Sequence, residues 1–138
     1  MNYDGRCHCG NLSFSLDWPD DDPVIARACG CDFCVKHGGV WTSNRDAALA
    51  AVVDDHGRIT KYRFGTSTAD FYVCAVCGGV PFVVSEIDGK SYAVVNVNTF
   101  EGVDPSAFAR TPTDFEGERA GSRLERRQRN WIPSVSVR

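Results

Sequence analysis

The seven cysteines of this chain are the residues whose type and spacing point most directly to chemistry. All of them fall into three short groups: Cys7 and Cys9; Cys29, Cys31 and Cys34; and Cys74 and Cys77. Glycine follows the first and third groups, and it lets the backbone turn back so that both sulfurs of a pair face one point. Buried free thiols in an apolar core would show no such clustering. The pattern therefore indicates metal binding.

The coordination preferences of zinc would explain why the seven thiols divide into a set of four and a set of three. A structural zinc ion takes four ligands, whereas a catalytic one takes three protein ligands and keeps one position open. We predict that the two pairs hold a closed structural zinc; its ligands would be Cys7, Cys9, Cys74 and Cys77. This site would join distant segments of the chain and stabilise the fold. An iron–sulfur centre is the main alternative, but the groups lack ferredoxin-like runs.

The second group, Cys29, Cys31 and Cys34, predicts an open zinc site. Three thiolates in one short turn leave a tetrahedral position for water, a substrate thiol or a substrate oxygen. Such a site would activate a thiol, because zinc deprotonates bound sulfur, or polarise a carbonyl oxygen. His37 could instead supply a fourth ligand and close the site. We expect two zinc ions per chain, with partial occupancy allowed at the second.

The remaining titratable residues give weaker signals. His8 stands between two ligands, so its side chain should point away from the first zinc. His56 lies in a polar turn and should be exposed. His37 and Tyr62 are the candidates considered for a general base, and the sequence assigns that role to neither.

Between the cysteine groups the sequence reads mostly as β-strands, so the expected fold class is all-β with little helix. Residues 12–16 alternate between large apolar side chains and serine, as in a half-buried strand. Asp88-Gly89 predicts a tight hairpin turn. A short helix capped by Asn44 is expected over the alanine-rich stretch 45–53.

The last thirty residues differ from the rest of the chain. Arginines cluster there among glutamates, namely Arg119, Arg123, Arg126, Arg127 and Arg129. This charge pattern favours a solvated, salt-bridged surface segment, and the alternative is a patch for an acidic ligand or partner. The stretch 131–133 should pack back onto the body of the protein, because an exposed tryptophan is unfavourable.

Length and composition limit the class of protein. A chain of 138 residues with 43% apolar and 24% charged residues predicts a single globular zinc-binding domain over 1–138. No apolar run reaches the ~20 residues of a membrane span, and the first residues lack the pattern of a secretory signal. We therefore expect a cytoplasmic protein. The net charge of -3 argues against a nucleic-acid partner, and a homo-oligomer is compatible with the sequence.

The ordered motifs G-x-C-x-C-G, C-x-C-x2-C and C-x2-C-G resemble those of the glutathione-dependent formaldehyde-activating enzyme family, which includes centromere protein V. The stretches Arg45-Asp46-Ala47, Lys61-Tyr62-Arg63 and 97–102 are similar to that family as well. The resemblance covers a core of residues 3–105. The C-terminal segment, residues 106–138, diverges from it.

The resemblance implies a zinc-clamped β-tent of antiparallel sheets. It also implies the metal ligands: Cys7, Cys9, Cys74 and Cys77 for a structural zinc, and Cys29, Cys31 and Cys34 for a catalytic zinc with an open position. The implied activity is carbon–sulfur lyase-like chemistry, the condensation of formaldehyde with glutathione to S-hydroxymethylglutathione and its reverse. The implied partner is a small-molecule thiol such as glutathione or its adduct.

Two functions of other classes also fit the sequence. A non-catalytic zinc-binding module would contact protein or nucleic acid, and a second site closed by His37 would favour it. A redox sensor would lose zinc from the second cysteine group on oxidation. An open second site beside a pocket would favour the enzyme.

Overall fold

Eleven strands and two α-helices make up the computed structural model, which describes all residues, 1–138. The strands are β1 (Asn2–Arg6), β2 (Leu12–Asp17), β3 (Ala26–Cys29), β4 (Val40–Thr42), β5 (Ala48–Val53), β6 (Ile59–Tyr62), β7 (Asp70–Cys74), β8 (Phe82–Ile87), β9 (Lys90–Asn96), β10 (Arg110–Thr113) and β11 (Ser134–Val137). The helices are α1 (Asp32–His37) and α2 (Ala120–Asn130). Strand, with two isolated bridge residues, accounts for 41% of the residues, and helix, with three short 3-10 helices, for 19%, which confirms the all-β expectation.

The strands form two sheets. One has four strands in the order β1-β2-β5-β11, and the other has seven in the order β10-β3-β4-β9-β8-β7-β6. Only β10 with β3 and β11 with β5 pair in parallel, and the other pairs are antiparallel. The hairpin between β8 and β9 turns at Asp88 and Gly89, both with positive φ, as the Asp-Gly signal predicts.

The main core lies between the two sheets. From β2 it takes Leu12, Phe14 and Leu16, whose alternation with exposed or half-buried residues confirms the half-buried strand. The strands β8 and β9 are covered on both faces, because their alternate residues belong to a second apolar cluster around Trp41 and Trp131. This double burial explains why three consecutive apolar residues, Phe82, Val83 and Val84, begin β8 and are all buried.

The helix expected over 45–53 is wrong, because most of that stretch is the strand β5. Leu49, Ala51 and Val53 face the core with a period of two and pair with the inward residues of β2. Sheet pairing and burial outweigh the helix propensity of alanine here. The Asn44 side chain accepts a hydrogen bond from the Asp46 N–H at 2.8 Å, so it stabilises a local turn instead.

The arginine-rich segment is salt-bridged, as its charge pattern favours, but it is only partly solvated. Glu118 pairs with Arg123 and Arg126, and Arg119 and Arg129 are exposed. The segment forms α2, which packs against β8, and Arg127 of this helix is only 6% exposed. The Nη1 of Arg127 donates to the hydroxyls of Thr68 and Ser85 at 2.8 and 3.0 Å. Trp131 and Ile132 are buried, as expected. No helix of the fold has the length and apolar character that crossing a membrane requires.

Candidate metal centres and the adjoining cavity

The first cluster consists of four cysteines on two turns of different sheets. Cys7 and Cys9 lie between β1 and β2, and Cys74 and Cys77 lie at the turn from β7 towards β8. Their four Sγ atoms lie within 4.8 Å of one another. The Sγ of Cys9 is 3.8 Å from that of Cys7 and 3.5 Å from that of Cys74. Four Zn–S bonds of about 2.3 Å in a tetrahedron would separate the sulfurs by about 3.8 Å, so this cluster fits zinc.

Backbone N–H groups surround the first cluster. Leu12 N–H donates to the Cys7 Sγ at 3.3 Å, and the N–H groups of Val76 and Cys77 donate to the Cys74 Sγ at 3.4 and 3.5 Å. Such donors stabilise negative charge on sulfur and orient the ligand. Gly79 leaves the room for this turn, since a Cβ at that position would lie 2.8 Å from the Cys7 Cβ.

The second cluster lies where β3 ends and α1 begins. Cys29 is the last residue of β3, Cys31 caps α1, and Cys34 lies within the helix. The Sγ of Cys31 accepts the N–H of Cys34 at 3.4 Å, so the N-terminal cap of α1 is itself a candidate ligand. Gly38 ends the helix in the left-handed conformation, with φ of 63°. The three Sγ atoms lie within 4.8 Å of one another.

Trp41 adds a contact to the second cluster that the sequence did not indicate. Its indole Nε1–H donates to the Cys34 Sγ at 3.2 Å in a buried position. The indole also meets the ring of Phe71 edge-on, with centroids 6.0 Å apart. Trp41 therefore holds the sulfur of the most buried of these three cysteines in place.

In each cluster the pKa of one thiol is lowered. A hydrogen bond from the Cys34 side chain lowers the pKa of Cys29 to about 5, against the effect of burial, and the same hydrogen bond raises the pKa of Cys34. Burial raises the pKa of Cys7 to about 12. Although burial opposes it, hydrogen bonds from the backbone of Cys9 and Gly79 lower the pKa of Cys77 to about 6. Each cluster thus offers a thiolate to a cation.

His37 does not join the second cluster. No ring nitrogen of His37 belongs to the group of mutually close ligand atoms. Its Nδ1 lies 2.9 Å from the carbonyl oxygen of Phe33, and its ring stacks on the Phe33 ring at 4.1 Å. The second cluster therefore offers three candidate side-chain ligands. The other two histidines, His8 and His56, are exposed, as expected.

A cavity of about 890 Å³ adjoins the second cluster and includes all three of its cysteines in its lining. One side of this cavity is aromatic and is formed by Phe33, Trp41, Tyr62, Phe64 and Phe71. Phe33 stacks on Phe64 with centroids 5.0 Å apart and meets Phe71 edge-on at 4.8 Å. His37 and Tyr62, the two candidates for a general base, both line the cavity.

Four arginines, which we call the basic wall, also line this cavity: Arg27, Arg123, Arg126 and Arg127. Three of them come from α2, so the arginine-rich segment lines the same cavity as the second cluster. Burial lowers the pKa of Arg127 to about 10, and the nearby charges of Arg123 and Arg126 add to the shift. The alternative interpretation of the charge pattern was a patch for an acidic ligand or partner. The position of α2 beside the cavity is consistent with such a patch.

The comparisons with known proteins agree with this geometry. The model of the glutathione-dependent formaldehyde-activating enzyme family matches residues 2–115. A crystal structure of a protein from Rhodobacter sphaeroides is similar at 28% identity with a TM-score of 0.56, and the match covers 78% of this chain and 99% of that chain. No curated protein matches the chain. Because the family match spans most of the chain and includes all seven cysteines, the chain belongs to the glutathione-dependent formaldehyde-activating enzyme family.

Proposed function

We propose that this protein is a zinc-dependent, carbon–sulfur lyase-like enzyme that acts on an adduct of a thiol with a small aldehyde. S-hydroxymethylglutathione is the adduct that fits the family best. One observation carries the proposal: the second cluster has three sulfur ligands and no fourth side chain, and it opens onto a cavity. Three protein ligands with a free position are typical of catalytic zinc, whereas structural zinc is closed.

The proposed reaction is a redox-neutral addition. The thiol sulfur attacks the carbonyl carbon of formaldehyde, a carbon–sulfur bond forms, and the carbonyl π bond opens. The thiol proton ends on the new hydroxyl oxygen, so no oxidant or reductant is consumed. The reverse reaction breaks the carbon–sulfur bond and returns the proton to sulfur.

The proposed roles of the residues follow from their positions. Cys29, Cys31 and Cys34 would hold a zinc ion that supplies a positive charge and one free position for the substrate sulfur. Trp41 fixes the Cys34 sulfur through its indole N–H. The aromatic side of the cavity would provide an apolar surface beside the reacting groups. The first cluster, with four ligands, would be the structural zinc.

The test is the exchange between labelled formaldehyde and its glutathione adduct, followed by NMR on protein of measured zinc content. We expect two zinc ions in the parent and one in Cys31→Ser. The parent should accelerate exchange at least ~10-fold over the solution rate, and Cys31→Ser should return it to that rate. Val35→Ser is the matched control, because Val35 lies on α1 but is 69% exposed and outside the cavity lining.

A fully zinc-loaded parent without acceleration would contradict the proposal. The protein would then be better described as a non-catalytic zinc-binding module. The geometry of α2 supports the enzyme over this alternative, because three of its arginines line the cavity instead of an outer surface.

A further inference from the structure

The charges of the basic wall are only partly compensated within the protein. Glu118 pairs with Arg126 at 3.0 Å and with Arg123 at 3.4 Å. Neither Arg27 nor Arg127 has a carboxylate within 4.0 Å, since no ion pair includes them. The cavity lining as a whole contains five basic side chains and three acidic ones. Three thiolates and one zinc ion would add one negative charge, so one positive charge is left for a ligand.

Unpartnered hydrogen-bonding atoms also line the cavity. The Nε of Arg127 and the Oγ1 of Thr113 are buried and have no partner. The Nε of Arg123 makes no hydrogen bond of good geometry, but it lies 3.4 Å from the Glu118 carboxylate. Buried polar groups are normally hydrogen-bonded, and an anion beside Arg127 would give its Nε an acceptor.

The stretch 113–115 connects the second cluster with the basic wall. Thr113 is the register partner of Cys29, and its carbonyl accepts the Gly30 N–H at 2.8 Å. Two residues later, the carbonyl of Phe115 accepts Nη2 of Arg123 at 2.6 Å. Because the cysteines of the second cluster and these arginines line the same cavity, one ligand could contact both.

We propose that Arg27, Arg123, Arg126 and Arg127 form a carboxylate-binding subsite that anchors the substrate while its sulfur lies at the second cluster. The substrate class is thus a thiol that carries a carboxylate, as glutathione does. This inference rests on the proposed function and adds a specificity determinant to it. Three of the four arginines lie beyond residue 115, where the family match ends, so α2 supplies a recognition element outside the matched region.

The test measures the binding of S-methylglutathione to the zinc-loaded protein by titration calorimetry. The methylated sulfur cannot become a thiolate, so the probe reports on carboxylate recognition without the chemical step. We expect the parent to bind it, and the dimethyl ester of the same compound to bind about 10-fold more weakly or worse. Arg27→Gln and Arg126→Gln should each weaken binding of the acid by about 10-fold or more.

Arg119→Gln is the matched control, because Arg119 is exposed at the start of α2, outside the cavity lining, and makes no cap hydrogen bond. It removes the same charge and should bind as the parent does. Should Arg126→Gln fail to fold without its Glu118 pair, Arg27→Gln decides alone, since the only hydrogen bond of its guanidinium goes to Ser43.

Three results would overturn the subsite: no binding by the parent at millimolar probe, equal affinity for acid and ester, or unchanged affinity in Arg27→Gln. A protein that binds S-methylglutathione in the expected way but does not accelerate formaldehyde exchange would refute the proposed function and leave the subsite standing. A protein that accelerates exchange but shows one of the three results would refute the subsite and leave the proposed function standing.

Discussion

Replacing Cys74 by serine should destabilise the protein far more than replacing Cys31. Cys74 is 1% exposed, and its sulfur meets that of Cys9, which lies 65 residues away in the chain. A cross-link that closes a loop of this length restricts the unfolded chain by about 4 kcal/mol. The ligands of the second cluster lie within six residues and close no long loop. The difference between the two variants should therefore be about 4 kcal/mol.

For a chain of this length, 4 kcal/mol corresponds to a shift of about 14 °C in the melting temperature. Thermal unfolding followed by circular dichroism, on proteins of measured zinc content, gives this difference directly. An excess of chelator provides the control, because the parent and Cys74→Ser should then melt at similar temperatures. The reasoning is refuted if Cys74→Ser has the melting temperature of the zinc-loaded parent, or if Cys31→Ser loses more stability than Cys74→Ser.

Three further predictions follow from single contacts. Gly79→Ala should lose the zinc of the first cluster in metal analysis, because its Cβ would lie 2.8 Å from that of Cys7, whereas Gly121→Ala, with no atom within 4 Å, should keep both ions. Trp41→Phe removes the N–H donor to Cys34 and should weaken metal binding at the second cluster by about 10–100-fold in a competitive titration; unchanged affinity would contradict a positioning role for the indole. Hydrogen bonding to Arg126 lowers the pKa of Glu118, so its contribution to stability is complete above the ordinary value of 4.5 and is lost as the pH falls through the lowered value. The stability difference between the parent and Glu118→Gln should therefore shrink with falling pH below 4.5, and a difference that stays constant would refute it.

The metal clusters could be predicted from the sequence because metal chemistry fixes both the residue type and the spacing. Cysteines two to five positions apart, with glycine at the turns, are brought together by local geometry alone. The first and third cysteine groups could be assigned to one site because a closed zinc site requires four ligands and each of these groups supplies two. The hairpin at Asp88-Gly89 was predictable for the same reason, since two residues determine the turn.

The features that could not be predicted depend on contacts between distant segments. The stretch 48–53 has the alanine content of a helix, and only its pairing with β2 makes it a strand. The charge pattern predicts the salt bridges of the arginine-rich segment but not the burial of Arg127, because no local signal shows that Thr68 and Ser85 will accept its hydrogen bonds. The aromatic side of the cavity likewise combines rings from separate elements, such as Phe33 and Phe71.

The central claim is that the second cluster is an open metal site that binds a substrate thiol, and cobalt substitution tests it most directly. In cobalt-loaded parent protein, added glutathione should intensify the sulfur-to-cobalt charge-transfer absorption, because a fourth thiolate joins the three from Cys29, Cys31 and Cys34. Cys31→Ser should abolish this response, and His37→Ala should respond as the parent does. A parent that gives no response at millimolar glutathione, together with a new response in His37→Ala, would contradict the claim and identify a closed site.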